Sequence, residues 1–220
     1  MKRVVPLVSG EVYHILSRSI AEYKIFNDKE DYLRFINLLI YYQKEVDLSY
    51  SYFMVLEGVA KDGFDNYFAK MTEDKNELVQ IIAYCIMPTH IHLILRQEKK
   101  DGISIYMDRI LGSHTRYFNI ANDRKGPLWE GKFKNVMVDK DEYLYHLTRY
   151  IHLNPVTAHL VEKPEDWIAT SYNEYISKDK KGICSFEDVL DITPNLYRDF
   201  VEERIEFQRN LAKIKRFMMD

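Results

Sequence analysis

Residues 84–96 of this chain read YCIMPTHIHLILR. Apolar and β-prone residues dominate, which predicts either two strands broken near Met87 and Pro88 or one long strand. Residues i and i+2 of a strand point to the same face, so His90 and His92 should project together. Two imidazoles held in this way suit a divalent metal that keeps other positions open for substrate. The alternative is a pair of partly exposed side chains without a ligand role.

A second informative stretch is residues 146–155, HLTRYIHLNP. Its apolar residues recur at helical spacing, and Pro155 predicts that the helix ends at Asn154. Residues four apart share a helix face, so His146, Tyr150 and Asn154 form one polar stripe. The phenol of Tyr150 is a candidate nucleophile, the amide oxygen of Asn154 a candidate metal ligand, and His146 a candidate assisting base.

Taken alone, these residues have ordinary explanations. The chain contains 17 tyrosines, most of which should pack in the core or at an interface. Tyr143 and Tyr145 are close competitors for the nucleophile, and Asn154 could be a residue at a helix end. The histidines are what make a chemical role for Tyr150 and Asn154 worth testing.

Several separated blocks together resemble the single-tyrosine HUH transposases (insertion-sequence-200-like), and among them the REP-associated tyrosine transposase-like branch. The blocks lie in the family's order and span roughly residues 10 to 175. They are YHILSR (13–18), IFND (25–28), MPTHIH (87–92), GPLWEGKF (126–133), RYIHLNPV (149–156), Trp167 and Ser171-Tyr172.

The resemblance implies specific roles. His90 and His92 would bind a divalent metal, Mg²⁺ or Mn²⁺, with Asn154 completing the site. Tyr150 would attack single-stranded DNA and form a 5′-phosphotyrosine. The implied activity is that of a transposase, a metal-dependent nicking endonuclease that cleaves and rejoins single-stranded DNA at hairpin or repeat sequences.

The chain departs from the family pattern at four positions near likely DNA contacts. Thr89 replaces a common Asn, Glu130 a common Gln, and Thr157 a common Arg. Lys132 also replaces a common Arg, and a lysine does not reproduce a bidentate guanidinium contact. These changes affect the identity of the DNA site more than the histidine–tyrosine chemistry.

The charge of the chain is unevenly distributed. The net charge is −3, whereas DNA-binding proteins are usually basic. The segment from Arg109 to Lys134, however, contains six basic and two acidic residues, with aromatic residues between them. Such a segment can bind a nucleic-acid strand through phosphate contacts and base stacking. Trp129 could stack on a base or pack in the core. The predicted DNA-binding residues are Arg116, Arg124, Lys125, Trp129, Lys132 and Lys134.

The order of predicted elements is that of a ferredoxin-like α+β sandwich, with an antiparallel sheet that carries the His-x-His motif. We predict strands at 11–18, 78–86, 89–96 and 133–138, and helices at 28–46, 103–120 and 140–153. Residues 50–59 should be a strand or extended segment, and residues 60–76 a long loop. The catalytic domain should cover 1–176, with a helical C-terminal extension at 177–220 (helices at 186–190 and 196–218) packed on it.

The remaining features predict a cytoplasmic protein without a membrane segment. No apolar run approaches the length needed to cross a bilayer, and Cys85 and Cys184 are expected to be reduced thiols. A homodimer is left open. Two other functions also stay open: a zinc-dependent hydrolase that uses His90 and His92, and a domesticated DNA-binding protein that has lost cleavage.

Overall fold

The structure, a computed structural model, describes residues 6–177 and 182–210. At the centre of this part of the chain lies a four-stranded antiparallel sheet in the order β2-β3-β1-β4. The strands are β1 (Val12–Arg18), β2 (Val79–Met87), β3 (His90–Gln97) and β4 (Lys134–Met137). Helical segments connect β1 to β2 and β3 to β4, so the predicted ferredoxin-like α+β order is confirmed.

The stretch that predicts the sheet forms a hairpin. All residues of β2 are buried, as its continuous apolar run predicts. Pro88 and Thr89 form the two-residue turn between β2 and β3, and Met87 pairs with His90 across it. The strand break at Met87-Pro88 is therefore the correct choice over a single long strand.

Helices cover both faces of the sheet. The first core contains residues of α1 (Lys29–Tyr41) and α5 (Gly102–Ala121) together with Leu93 of β3. The second core contains residues of α6 (Asp141–Thr157) and α7 (Tyr172–Ile176) together with the neighbouring Ile94. Alternate residues of β3 thus face different layers, as the period of a strand requires.

Helix α1 begins where the sequence predicts but ends earlier. Asp28 is its N-cap and accepts a hydrogen bond of 2.9 Å from the backbone N–H of Asp31. The helix ends at Tyr41 rather than near residue 46, because the chain turns there to form an isolated bridge between Lys44 and Glu77.

The segment between residues 50 and 76 is helical, so both of its predictions are wrong. It contains α2 (Tyr50–Phe53), α3 (Glu57–Asp62) and α4 (Phe64–Met71). Aromatic residues at helical spacing pack together here: the rings of Phe64 and Phe68 stack with centroids 5.8 Å apart, and Phe68 also contacts Tyr41. Tertiary packing of these rings overrides the β propensity of the aromatic residues.

The C-terminal extension packs on the domain, but its helices differ from the predicted ones. Residues 186–190, predicted to be helical, form a turn, and α8 (Pro194–Glu202) is followed by a break and by helical residues 205–210. The rest of the predicted helix 196–218 lies outside the described residues. Tyr197 and Val201 of α8 are buried in the same core as α6.

Within residues 6–177 and 182–210, no helix has both the length and the apolar character needed to span a bilayer.

Candidate active site

Three rings meet on the α6 side of the sheet. His90 and His92 lie on one face of β3, with ring centroids 5.1 Å apart and planes at 81°. The ring of Tyr150, from α6, stands perpendicular to that of His92 at a centroid distance of 5.8 Å. Residues 58 positions apart in sequence, His92 and Tyr150, are therefore brought into contact, as the two sequence motifs predict.

Both histidines have a hydrogen-bond partner at Nδ1. His90 Nδ1 lies 3.0 Å from the hydroxyl of Thr89, and His92 Nδ1 lies 3.0 Å from Nε2 of His14 on β1. Nε2 of neither ring has a hydrogen-bond partner in the part of the chain that the structure describes. This arrangement fits a metal site, because ligating histidines usually bind through one nitrogen while a second partner holds the other.

Burial keeps these imidazoles neutral. It lowers the pKa of His92 to about 2, helped by the nearby rings of His90 and His14 and the charge of Arg18. Burial also lowers the pKa of His90 to about 4, again with a contribution from Arg18. The neutral ring is the form that binds a metal ion, so the pair is ready to act as ligands at neutral pH.

Tyr150 is accessible on α6. Its side chain is 46% exposed, whereas Ile151 and His152, which follow it, are completely buried. A nucleophile must reach its substrate, and the perpendicular contact with His92 keeps the phenol beside the histidine pair. Tyr143 is also exposed, but no described ring contact connects it to His90 or His92.

Asn154 lies one helical turn beyond Tyr150 and is half-buried. Its Nδ2 is buried and has no hydrogen-bond partner among the described residues. The amide nitrogen only donates hydrogen bonds, so a ligand role for Asn154 would fall to its amide oxygen. Within residues 6–177 and 182–210, no group of three or more His, Cys, Asp or Glu side chains could hold a metal.

The predicted end of the tyrosine helix at Asn154 is wrong, since α6 continues to Thr157 with Pro155 inside it. Proline removes one backbone N–H from the helix. The turn nevertheless persists, because Leu153 and Val156 are buried and the carbonyl of Asn154 accepts a hydrogen bond from Ala158.

His146 contacts other residues than Tyr150 among the described contacts, and its role as an assisting base stays a prediction. The guanidinium of Arg149 donates to His146 Nδ1 at 2.9 Å, and the ring of His146 lies against Phe200 of α8. Among the described contacts, none joins His146 to the histidine pair. The stripe predicted from four-residue spacing is therefore interrupted, because the C-terminal extension covers its first position.

The predicted DNA-binding residues separate into two groups. Lys132 and Lys134 are exposed beside Arg18. Lys134 pairs with Leu16, which pairs in turn with His92, so one row across the sheet connects Lys134 to the candidate metal ligands. Cross-strand partners share a face of the sheet, which places this cation next to the site.

The other four predicted residues are less suitable. Arg116 and Lys125 are exposed but belong to α5 and the loop after it, on the opposite face of the sheet. Arg124 is engaged by the side chain of Asn119 and the carbonyl of Pro127. Trp129 is buried and donates from its indole nitrogen to Leu111, which favours the core role over base stacking.

Two residues of β1, His14 and Arg18, are absent from the sequence-based prediction of the site. The sequence does indicate that the two side chains point to the same face, because side chains alternate along the predicted strand 11–18. The sequence does not show which strand lies next to β3. The register that places Arg18 opposite His90 comes from the structure.

Sequence comparison finds that part of this chain is similar to known transposases. A family model described as "Transposase IS200 like" matches residues 49–154. A Haemophilus influenzae protein described as a REP-associated tyrosine transposase is 28% identical over 104 residues, covering 43% of this chain and 59% of the relative. The chain therefore matches less than two thirds of the length of that curated relative.

A solved structure with a TM-score above 0.5 supports the fold. A REP-associated tyrosine transposase bound to a REP hairpin matches with a TM-score of 0.52 and 16% identity, covering 88% of this chain and 96% of that one. A Deinococcus radiodurans transposase structure matches with a TM-score of 0.35 and 17% identity, covering 69% and 95%; this score is too low to carry an argument.

The chain is an α+β protein that is similar to the IS200-like transposases over residues 49–154. The Haemophilus influenzae relative agrees with the resemblance to the REP-associated tyrosine transposases that the sequence motifs carry.

Proposed function

We propose that this protein is a metal-dependent transposase that cleaves and rejoins single-stranded DNA at hairpin or repeat sequences. The main support is the contact between the exposed ring of Tyr150 and the ring of His92, at a centroid distance of 5.8 Å. In support of the proposal, an exposed phenol, the candidate nucleophile, lies beside the candidate metal ligands. The hairpin form of the substrate is proposed because the structural relative is bound to a REP hairpin.

His90, His92 and Asn154 would hold Mg²⁺ or Mn²⁺. The chemistry that such an ion supplies when bound is polarisation of the scissile phosphate. Arg18, Lys132 and Lys134 would bind the neighbouring phosphates, because their charges border the same face of the sheet. The side chains themselves therefore set the orientation of the strand before any bond changes.

The reaction exchanges one phosphate ester for another. The Tyr150 oxygen attacks phosphorus after its proton passes to solvent, the bond from phosphorus to the 3′ oxygen breaks, and that oxygen takes up a proton to leave a free 3′-hydroxyl. The product is a 5′-phosphotyrosine. Attack by a second 3′-hydroxyl releases Tyr150 and reseals the strand without an external energy source.

Tyr150→Phe tests the nucleophile. The substitution keeps the ring and removes only the exposed hydroxyl, so the protein should fold normally. Wild type incubated with a 3′-labelled single-stranded hairpin and Mn²⁺ should form a labelled covalent adduct that survives denaturation, because the protein stays joined to the 3′ fragment, and Tyr150→Phe should form none. Tyr143→Phe, on the same helix and similarly exposed, should form it at the wild-type level. Adduct recovered on Tyr143 or Tyr145 would contradict the assignment.

The histidine pair is tested in the same assay. His90→Ala or His92→Ala should abolish cleavage while hairpin binding remains largely intact, because the pair acts at the reacting phosphate. Cleavage by the double variant in the presence of a chelator would show that the metal mechanism is wrong. Hairpin binding without cleavage by wild type, at any divalent metal concentration, would instead support a domesticated DNA-binding protein.

A further inference from the structure

One of the candidate metal ligands is hydrogen-bonded to another histidine. Nε2 of His14 lies 3.0 Å from Nδ1 of His92. The two ring planes differ by only 14°, and their centroids are 5.2 Å apart. The distance between the centroids is about the distance between the two nitrogens plus the radius of each ring. The two nitrogens therefore lie on the line that joins the centroids, and the rings meet edge to edge in nearly one plane. This is the geometry of an N–H···N hydrogen bond that lies in the plane of both rings.

The backbone holds this contact in place. His14 pairs with Ile94, and His92 pairs with Leu16, in the antiparallel ladder of β1 and β3. The two histidines are therefore diagonal neighbours on the same face, within reach of each other's side chains. His92 is 3% exposed and His14 is half-buried, so water competes little for the bond.

The direction of the hydrogen bond decides whether His92 can bind a metal. If His92 carries its proton on Nδ1 and donates to His14, the lone pair of His92 Nε2 is available as a ligand. If His14 donates instead, Nε2 of His92 carries the proton and cannot bind. A hydrogen bond to one nitrogen of a ligating histidine selects the tautomer and orients the ring.

We infer that His14 is a positioning residue that accepts a hydrogen bond from Nδ1 of His92 and thereby presents Nε2 of His92 to the metal. The hydroxyl of Thr89 lies 3.0 Å from Nδ1 of His90 and can accept from it in the same way, so a partner at Nδ1 orients each ring of the pair. The inference rests on the proposed function, because it requires that His90 and His92 bind a divalent ion.

Binding of Mn²⁺ to the full-length chain, without DNA, tests this role. Free Mn²⁺ is measured by electron paramagnetic resonance during titration of wild type, His14→Phe and His14→Gln. Phe keeps a ring but provides no acceptor, and loss of such a supporting partner reduces metal affinity by about 10–100-fold. Gln offers an amide oxygen in place of Nε2, so we expect His14→Gln to stay within a few-fold of wild type.

A spectroscopic measurement reports the tautomer directly. In ¹⁵N-labelled, metal-free wild type, His92 should show a protonated Nδ1 and an unprotonated Nε2. In His14→Phe this preference should be lost. His114→Gln is the control, because His114 is equally part of the fold but binds the carbonyl of Ile25 on the α5 side of the sheet. It should leave Mn²⁺ affinity and the His92 tautomer unchanged.

The outcomes separate this inference from the proposed function. Binding that is lost in His90→Ala and weakened in His14→Phe supports both. Binding that is lost in His90→Ala but unchanged in His14→Phe overturns the role of His14 and leaves the metal site standing. Equal binding by wild type and His90→Ala, or none by either, overturns both. If His14→Phe does not fold, a protonated Nε2 of His92 in wild type is sufficient to overturn the inference.

Discussion

The surroundings of Asn154 limit the roles that its side chain can have. It belongs to the helix rather than to a turn, and its buried Nδ2 has no hydrogen-bond partner among the described residues. The helix continues past Asn154 to Thr157, so the helix-end role that the sequence also allowed does not apply. The ligand role stays a prediction for the amide oxygen, because the amide nitrogen only donates hydrogen bonds.

Asn154→Ala should weaken metal use with little effect on folding. The side chain makes no described hydrogen bond through Nδ2, so we expect the free energy of unfolding to change by less than about 1 kcal/mol. The Mn²⁺ concentration required for half-maximal cleavage should rise, but by less than in His92→Ala. Metal titrations of cleavage and urea unfolding curves provide the two measurements. An unchanged Mn²⁺ requirement would remove Asn154 from the site.

At the scale of elements, α8 holds the helix that carries Tyr150. The rings of Tyr145 and Phe200 stack with centroids 3.7 Å apart, and the guanidinium of Arg149 lies 3.9 Å from the centroid of Phe200. Deeper in the core, the hydroxyl of Tyr197 lies 2.6 Å from Nδ1 of His152. The C-terminal extension thus anchors α6 on both sides of Tyr150.

Tyr197→Phe tests this anchor. The change keeps the packing of the ring but leaves Nδ1 of the completely buried His152 without its partner. An unsatisfied buried group costs about 1–3 kcal/mol, so the free energy of unfolding should fall by that amount in urea denaturation. Tyr143→Phe, which removes an exposed hydroxyl from α6, should change it by less than about 0.5 kcal/mol. Equal effects of the two substitutions would argue against the anchor.

The elements also show where local sequence signals fail. Strands β2 and β3 were predictable because both are buried and apolar over most of their length. The helices α2, α3 and α4 were missed because their aromatic residues have high β propensity, and only packing of Phe53, Phe64 and Phe68 against one another shows that their spacing is helical. The continuation of α6 past Pro155 also depends on tertiary packing. Burial of Leu153 and Val156, on either side of the proline, outweighs the loss of one backbone hydrogen bond.

For the whole molecule, charge is concentrated rather than abundant. The net charge is −3, yet Arg18, Lys132 and Lys134 border the face that carries the histidine pair. The basic segment found in the sequence is divided by the fold, because Arg116 lies on α5, which covers one face of the sheet, whereas Lys134 of β4 is in the strand row of Leu16 and His92 on the other face. We therefore expect local rather than general attraction for DNA.

Lys132→Gln and Lys134→Gln should each weaken hairpin binding in a salt-dependent manner. Removal of one phosphate contact should reduce the slope of log affinity against log salt concentration by about 0.7 on single strands. Lys61→Gln, at an exposed position on α3, is the control and should leave the slope unchanged. The titrations compare a single-stranded hairpin with a blunt duplex of the same sequence. Equal affinity for both forms, with no effect at Lys132 and Lys134, would exclude this surface.

Acid should destabilise the whole protein through its buried histidines. Burial lowers the pKa of His114 and of His152 to about 3 each, below the usual value near 6.5. The unfolded chain therefore binds more protons as the pH falls below about 6.5, and stability falls with it, by about 1.4 kcal/mol per pH unit for each such group. This loss continues until the pH approaches the folded value.

His114→Gln isolates one of these groups. Gln can donate to the carbonyl of Ile25 in place of Nε2, and it does not titrate. Urea unfolding between pH 7.5 and 4.5 should show a shallower fall of stability with acid than wild type, by about one proton. The exposed His159, replaced by Asn, should leave the wild-type pH profile unchanged. A profile of His114→Gln that parallels wild type would contradict this explanation.

The sequence by itself determined the order of the main strands and helices, the shared face of His90 and His92, and the positions of Tyr150 and Asn154 on one helix. These features follow from periodicity within a single element, where spacing alone sets the direction of a side chain.

Only the tertiary structure decided what lies across from each element. The register of β1 against β3 brings His14 to His92 and Arg18 to His90. The packing of α8 sets Phe200 against the ring of His146, and the burial of Trp129 assigns it to the core. These contacts join residues far apart in the chain, so they depend on how the layers close over the sheet rather than on any local pattern.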